Sequence, residues 1–233
     1  MKHSGRILMV AVAVMLSVGI CSCKDDEKDN DTDSSEEWVD LGLPSGLLWA
    51  KCNLGALKPE QFGRYYAWGE TETKGVYDWS TYKYCGGNNK ILTKYCSNSS
   101  YGYRGFTDTL TVLQSSDDAA AVVLGEGARI PTYSDWNELR SNTTSIWTYE
   151  NEVFGMRFTA NNGKSIFLPA AGGQGDDGPF YAGSDGLYWT SFIVMDNPAA
   201  AWTFRFYMGS QYMDDFHRAY GFTIRAVRPA RKH

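Results

Sequence analysis

Residues 201–207 read Ala-Trp-Thr-Phe-Arg-Phe-Tyr, with rings at positions 202, 204 and 206. Successive side chains of a β-strand point to opposite faces, so Trp202, Phe204 and Phe206 share one face and are expected to be buried there. Short apolar or alternating runs recur at 39–43, 47–52, 65–68, 156–160, 166–168, 187–191 and 221–227. Gly, Asn, Asp and Pro separate them, which is the punctuation of strands joined by turns. Two stretches read as helix instead. Ser115 and Asp118 form a capping-box arrangement, Ala119 to Leu124 propagates the helix, and Gly125 stops it. A second helix opens at Pro131-Thr132, has Asp135 in its first turn, and places Trp136 and Leu139 on one face. Two short helices among many short strands predict an α+β fold. No linker, low-complexity stretch or repeat interrupts the chain between Trp38 and Pro229, so 38–233 is expected to be one domain.

Composition agrees with a folded, strand-rich chain. The 233 residues include 8 Trp, 15 Tyr, 11 Phe and 24 Gly, a mix suited to short strands and tight turns. It excludes a coiled coil, a collagen-like chain and a wholly disordered one. The net charge of −5 leaves no basic excess to neutralise phosphates, so nucleic acid is not an expected partner. The charge is concentrated: +2 over 1–22, −6 over 23–37, and only −1 over 38–233.

The two ends of that imbalance have a common explanation. Lys2, His3 and Arg6 precede an apolar run from Ile7 to Ile20, too short to span a bilayer and suited to a signal peptide over 1–22. Ile20-Cys21-Ser22-Cys23 then resembles a bacterial lipobox, in which a small residue precedes the cysteine that becomes the acylated N-terminus. Cys23 follows Ser22, whereas its rival Cys21 follows the bulky Ile20, so Cys23 is the expected lipidation site. Lys24-Asp25-Asp26-Glu27 resembles the surface-export signal of Bacteroidetes lipoproteins, and 23–37 reads as an acidic tether that cannot collapse. The expected location is the outer membrane, facing the exterior, with contact to the membrane through the lipid alone.

A family resemblance covers nearly the whole mature chain. Residues 38–50, WVDLGLPSGLLWA, followed by Asn53-Leu54-Gly55-Ala56, resemble the opening of the Fibrobacter succinogenes major paralogous domain, in the version common in Bacteroidales surface lipoproteins. Tyr66-Ala67-Trp68-Gly69-Glu70, Asp117 to Ala120, Arg129 to Thr132, Ile166 to Gly172, Tyr188 to Ser191 and Arg225 to Pro229 continue it in order. The resemblance implies a C-type-lectin-like fold, with twisted, mostly antiparallel short strands and long irregular loops, and a distant relation to formylglycine-generating enzymes.

Catalytic and metal-binding patterns are sparse. Asp117-Asp118, Asp176-Asp177 and Asp214-Asp215 are sequence neighbours that point apart on a strand or helix, so none is an acid–base dyad by adjacency. The loop from Gly172 to Gly178 lacks the lysine-serine ending of a phosphate cradle. His217 is the only histidine inside the domain before the C-terminal residue, and no nucleophile motif accompanies it. The C-terminal cysteine pair of formylglycine-generating enzymes and the proline-centred signatures of calcium-dependent lectins have no counterpart. The expectation is a non-enzymatic protein with no cofactor and no metal. Cys85 and Cys96 could pair across a short loop, leaving Cys52 free.

Binding is expected in the C-terminal third. Phe192, Ile193, Val194, Met195 and Asp196, then Tyr207, Gln211, Tyr212, Asp214, Phe216, His217 and Tyr220, are dense in rings and amphipathic groups of the kind that recur in recognition surfaces. Residues 207–220 lack alternation and read as loop or irregular strand with exposed rings. Retroelement diversification of this segment is a further possibility raised by the fold resemblance, but Met195, Met208, Gln211 and Met213 cannot be reached from an Asn codon by adenine changes. The expected function is a cell-surface binding module, an adhesin or lectin-like receptor for an extracellular glycan or protein. A structural or pilus-tip-type subunit and a degenerate enzyme are the alternatives.

Overall fold

The ring-bearing strand is the middle strand of a three-stranded sheet. The computed structural model describes residues 37–125 and 127–230. Strand β10 (Asn197–Tyr207) pairs antiparallel with β9 (Asp185–Val194) on one side and β11 (Ser210–His217) on the other. Two-residue turns, Met195-Asp196 and Met208-Gly209, join them. Gly209 has a φ of 85°, the left-handed conformation that such a turn needs and a side chain resists. Gly186 opposite Phe206 meets a different demand, because a Cβ there would lie 2.0 Å from the Phe206 ring.

Alternation along this sheet creates two cores. Tyr188, Phe204 and Phe206 enter one, with Trp136 and Leu139 of the second helix and Met156, Phe158, Ile166 and Leu168 of a second sheet. Leu187, Trp189, Ile193 and Ala201 enter the other, with Trp68, Tyr77, Tyr82, Tyr84, Tyr95 and Phe222. The second sheet is antiparallel, in the order β4 (Thr143–Glu150), β5 (Val153–Ala160), β6 (Ser165–Pro169). A third sheet, of β1 (Trp38–Asp40), β2 (Leu47–Ala50) and β13 (Val227–Pro229), joins the two ends of the described chain. The fourth has the order β3 (Tyr66–Ala67), β12 (Gly221–Phe222), β7 (Gly173–Gly175), β8 (Gly178–Phe180). All described residues belong to one compact unit, Asp33–His233.

Both helices form over the expected residues, although the first is capped by Asp118 alone and not by a Ser115–Asp118 capping box. Helix α1 (Ala119–Leu124) is capped by Asp118, whose carboxylate accepts from the backbone N–H groups of Ala120 and Ala121, while Ser115 starts a 3₁₀ turn ahead of it. Helix α2 (Tyr133–Asn142) has the reciprocal Thr132–Asp135 capping box.

The expected fold class is nevertheless corrected. Strand accounts for 39% of the structure and helix for 11%, arranged as four small antiparallel sheets, so the protein is mostly β and sandwich-like. The α+β, C-type-lectin-like expectation is therefore overturned. The helices are too short to form a layer and contribute only a few side chains, such as Trp136 and Leu139, to the cores. Residues 207–220 are corrected as well, since most of that stretch is the regular edge strand β11, held by backbone pairing to β10. Trp202 is half-buried against Tyr133 rather than in the core with Phe204 and Phe206.

One polar feature ties several elements together. The guanidinium of Arg225, wholly buried, donates to Asn53 Oδ1 at 2.9 Å and to the carbonyls of Ala50, Lys51 and Phe167 at 3.2, 2.8 and 2.9 Å. Carbonyl oxygens thus satisfy a group that burial makes harder to charge. Cys52, Cys85 and Cys96 are all free, so the pairing of Cys85 with Cys96 does not form. Cys23, the segment 1–22 and the tether up to residue 36 lie outside the described residues.

Candidate functional site

The twelve expected ligand residues fall into two groups at opposite ends of the central sheet. Met195 and Asp196 are exposed at the β9–β10 turn, where Ser97 Oγ donates to the Met195 carbonyl at 2.6 Å. The pairing of His217 with Ala200 places that histidine toward the same end, and its ring lies 5.7 Å from Trp79 and 5.3 Å from Tyr220. Phe192 and Val194 are half-buried beside Ile193, which is a core residue. Tyr207 lies toward the other end, on the order of 30 Å from the Met195-Asp196 turn at about 3.3 Å per strand residue, with Tyr212 and Asp214 opposite Arg205 and Thr203 on the way there.

Arg205 organises that second group. Cross-strand neighbours share a face, so Arg205 stands beside Tyr212 on β11 and within one step of Asp214 and Tyr207. Its Nε donates to Asp185 Oδ2 at 2.9 Å, and its Nη1 to Asp214 Oδ2 at 3.1 Å. Burial opposes the charged guanidinium, but the two carboxylates outweigh it and hold Arg205 more firmly protonated than usual. The rings of Tyr181, Tyr207 and Tyr212 lie 5.3, 5.8 and 6.0 Å from the guanidinium carbon, within cation–π range.

A cleft of about 590 Å³ opens beside this group, lined by Trp147, Phe154, Asp185, Arg205, Tyr207 and Met208, with Gly183 and Ser184 at its margin. Its far wall comes from the β4–β5 hairpin. The core face of that hairpin carries Trp147, Tyr149, Phe154 and Met156, and it runs on past the core, leaving Tyr149 57% and Phe154 46% exposed. Phe154 lies 12° from parallel to Trp147, with ring centroids 6.0 Å apart, and contacts Tyr149 at 4.6 Å. Tyr181 is 51% exposed and Met208 73%. Tyr181 also has a φ of 57°, and its carbonyl accepts from the N–H groups of Ser184 and Asp185, which ties the loop to Asp185.

Three expected residues do other work. Gln211 is on the opposite face, where its Nε2 donates to Ser145 Oγ at 2.9 Å and its carbonyl accepts from Arg140. Phe216 packs edge-on against Phe222 at 5.1 Å, at the border of a core, with its ring also 5.8 Å from the Arg205 guanidinium carbon, and Tyr220 packs on Phe180 at 5.8 Å. Sequence reading missed Trp147, Phe154, Tyr181, Asp185 and Arg205 as site residues. One available signal was the spacing of Trp147 and Tyr149 from Phe154 across a two-residue turn, Asn151-Glu152.

Among the described residues no cluster of three or more His, Cys, Asp or Glu could hold a metal ion, and no helix is long and apolar enough to cross a membrane. No family model, no curated protein and no solved structure matches the chain.

Proposed function

We propose that the chain is a lipid-anchored, cell-surface binding protein, without enzymatic activity, whose ligand rests on the aromatic shelf around Arg205. The observation that carries this reading is the convergence of the exposed rings Tyr149, Phe154 and Tyr181 with Met208 on a fixed Arg205–Asp185 pair. Tyr149 and Phe154 are held on paired strands and Tyr181 on a loop tied to Asp185, so these rings lose little freedom on binding, and a partly buried ion pair at their edge supplies direction. The anchor is Cys23, the tether is 24–37, and the ligand is an extracellular glycan or protein. The resemblance of the sequence motifs to Bacteroidales surface lipoproteins supports that placement.

The test displays the full chain on cells and probes it with glycan and protein arrays. Phe154→Ala with Tyr207→Ala should abolish capture of the ligand found, with surface level unchanged. Retained capture refutes the shelf as the site.

A further inference from the structure

We infer that the shelf takes an uncharged saccharide and turns anionic sugars away. This rests on the reading of the shelf as the ligand site and adds a ligand class to it. The first argument is shape. A pyranose presents a flat face of C–H groups, and the shelf offers flat ring surfaces at its rim, with Phe154 and Tyr181 about half exposed. The cleft that Phe154 lines with Arg205 and Tyr207 is broad rather than a narrow socket for one side chain.

The second argument is hydrogen bonding. A sugar hydroxyl both donates and accepts, so it needs a mixed rim. Asp185 takes Arg205 Nε and Nη2 on Oδ2, at 2.9 and 2.8 Å, and Ser184 Oγ on Oδ1, at 2.7 Å. Asp214 takes Arg205 Nη1 at 3.1 Å. Carboxylates keep lone pairs beyond these contacts and a guanidinium keeps N–H groups, so neighbouring hydroxyls can bridge both.

The third argument is charge. One guanidinium is shared between two carboxylates, which leaves this rim with a formal charge of −1. An incoming carboxylate or sulfate meets that excess, and it cannot recruit Arg205 without stranding Asp185, whose side chain is only 9% exposed. The same charge disfavours an acidic peptide. Beneath Arg205 and Tyr207 the backbone of β10 is paired on both sides, so an extended peptide would have to add at the outer edge of β11 instead.

The experiment uses the full chain in detergent micelles and four probes: the neutral polysaccharides mannan and laminarin, and the anionic polygalacturonate and chondroitin sulfate. Binding is read by calorimetry, and folding of each variant by circular dichroism and thermal melting. At least one neutral probe should bind, with both anionic probes at least tenfold weaker. Phe154→Ala and Tyr207→Ala should each weaken the neutral probe at least tenfold, and Phe154→Tyr should restore most of the affinity. Asp214→Asn should narrow the neutral-to-anionic ratio. Preference for an anionic probe, silence toward both neutral ones, or neutral binding indifferent to Phe154 and Tyr207 overturns the inference. If a protein ligand from the arrays is instead lost in the same variants, the saccharide class falls while the shelf stands as a binding site. If no ligand responds to them, the shelf itself falls.

Discussion

Arg205 on β10 reaches diagonally across the sheet to Asp185 at the start of β9, and the two meet at 2.9 Å beside an open cleft. The contact is structural and functional at once, because the acid is largely buried while the cation faces the rings. Arg205→Met should lower stability by about 1–3 kcal/mol, since it leaves Asp185 desolvated without its cation. Urea denaturation measures the loss, and Asp185→Asn in the same chain should recover most of it. If the double variant is no better than the single one, the pair is not the source of the effect.

Asp118 has two duties. Its Oδ1 caps α1, and its Oδ2 accepts from the buried Ile130 N–H at 2.8 Å. Removing both in Asp118→Ala should cost roughly 2–4 kcal/mol by chemical denaturation, a lost cap plus a stranded donor. Asp118→Asn keeps the cap oxygen but cannot accept at its amide nitrogen, so it should fall between the two.

Core burial ranks the rings of β10. Phe204 is fully buried and stacks on Trp136 at 4.5 Å, so Phe204→Ala should cost about 3–5 kcal/mol. Trp202 is half-buried against Tyr133, and Trp202→Ala should cost clearly less. Equal thermal losses for the two variants would contradict the assignment of faces.

Acid should weaken the fold through Asp117. Burial alone would raise its pKa, but hydrogen bonds from Lys94, Tyr84 and Tyr95 outweigh it and hold the carboxyl below its usual range. A lowered folded pKa gives stability that is present above the unfolded value, about 4, and is lost as pH falls through the folded one. The stability gap between the native chain and Asp117→Asn should therefore be constant above about pH 5 and shrink below about pH 4. A gap that does not change on acidification rules this out.

How legible the molecule is in its sequence depends on what holds each element. Helix α2 is readable because Thr132 and Asp135 act on their own neighbours, and β10 because Phe204 and Phe206 alternate into a core. Strand β11 is not readable, because its order comes from backbone pairing to β10 and its burial pattern has no clear period. For the same reason Tyr212 and Phe216 differ in burial partners although both rings reach the Arg205 guanidinium: Phe216 also packs on Phe222 at the border of a core, and Tyr212 does not. Tyr207, Tyr212 and Asp214 were found as candidate residues, but their partners Trp147, Phe154 and Asp185 lie far away in the chain. Only tertiary structure brings those together.

The unpaired state of Cys52, Cys85 and Cys96 has a physiological consequence. Burial pushes all three thiols up, so at neutral pH they are poor nucleophiles and slow to oxidise. The described domain owes its cohesion to packed rings and to buried arginines bonded to carbonyls, none of which responds to electrons. The described domain is therefore held by no bond that a thiol reductant cleaves. Its unfolding midpoint should be the same with and without excess dithiothreitol.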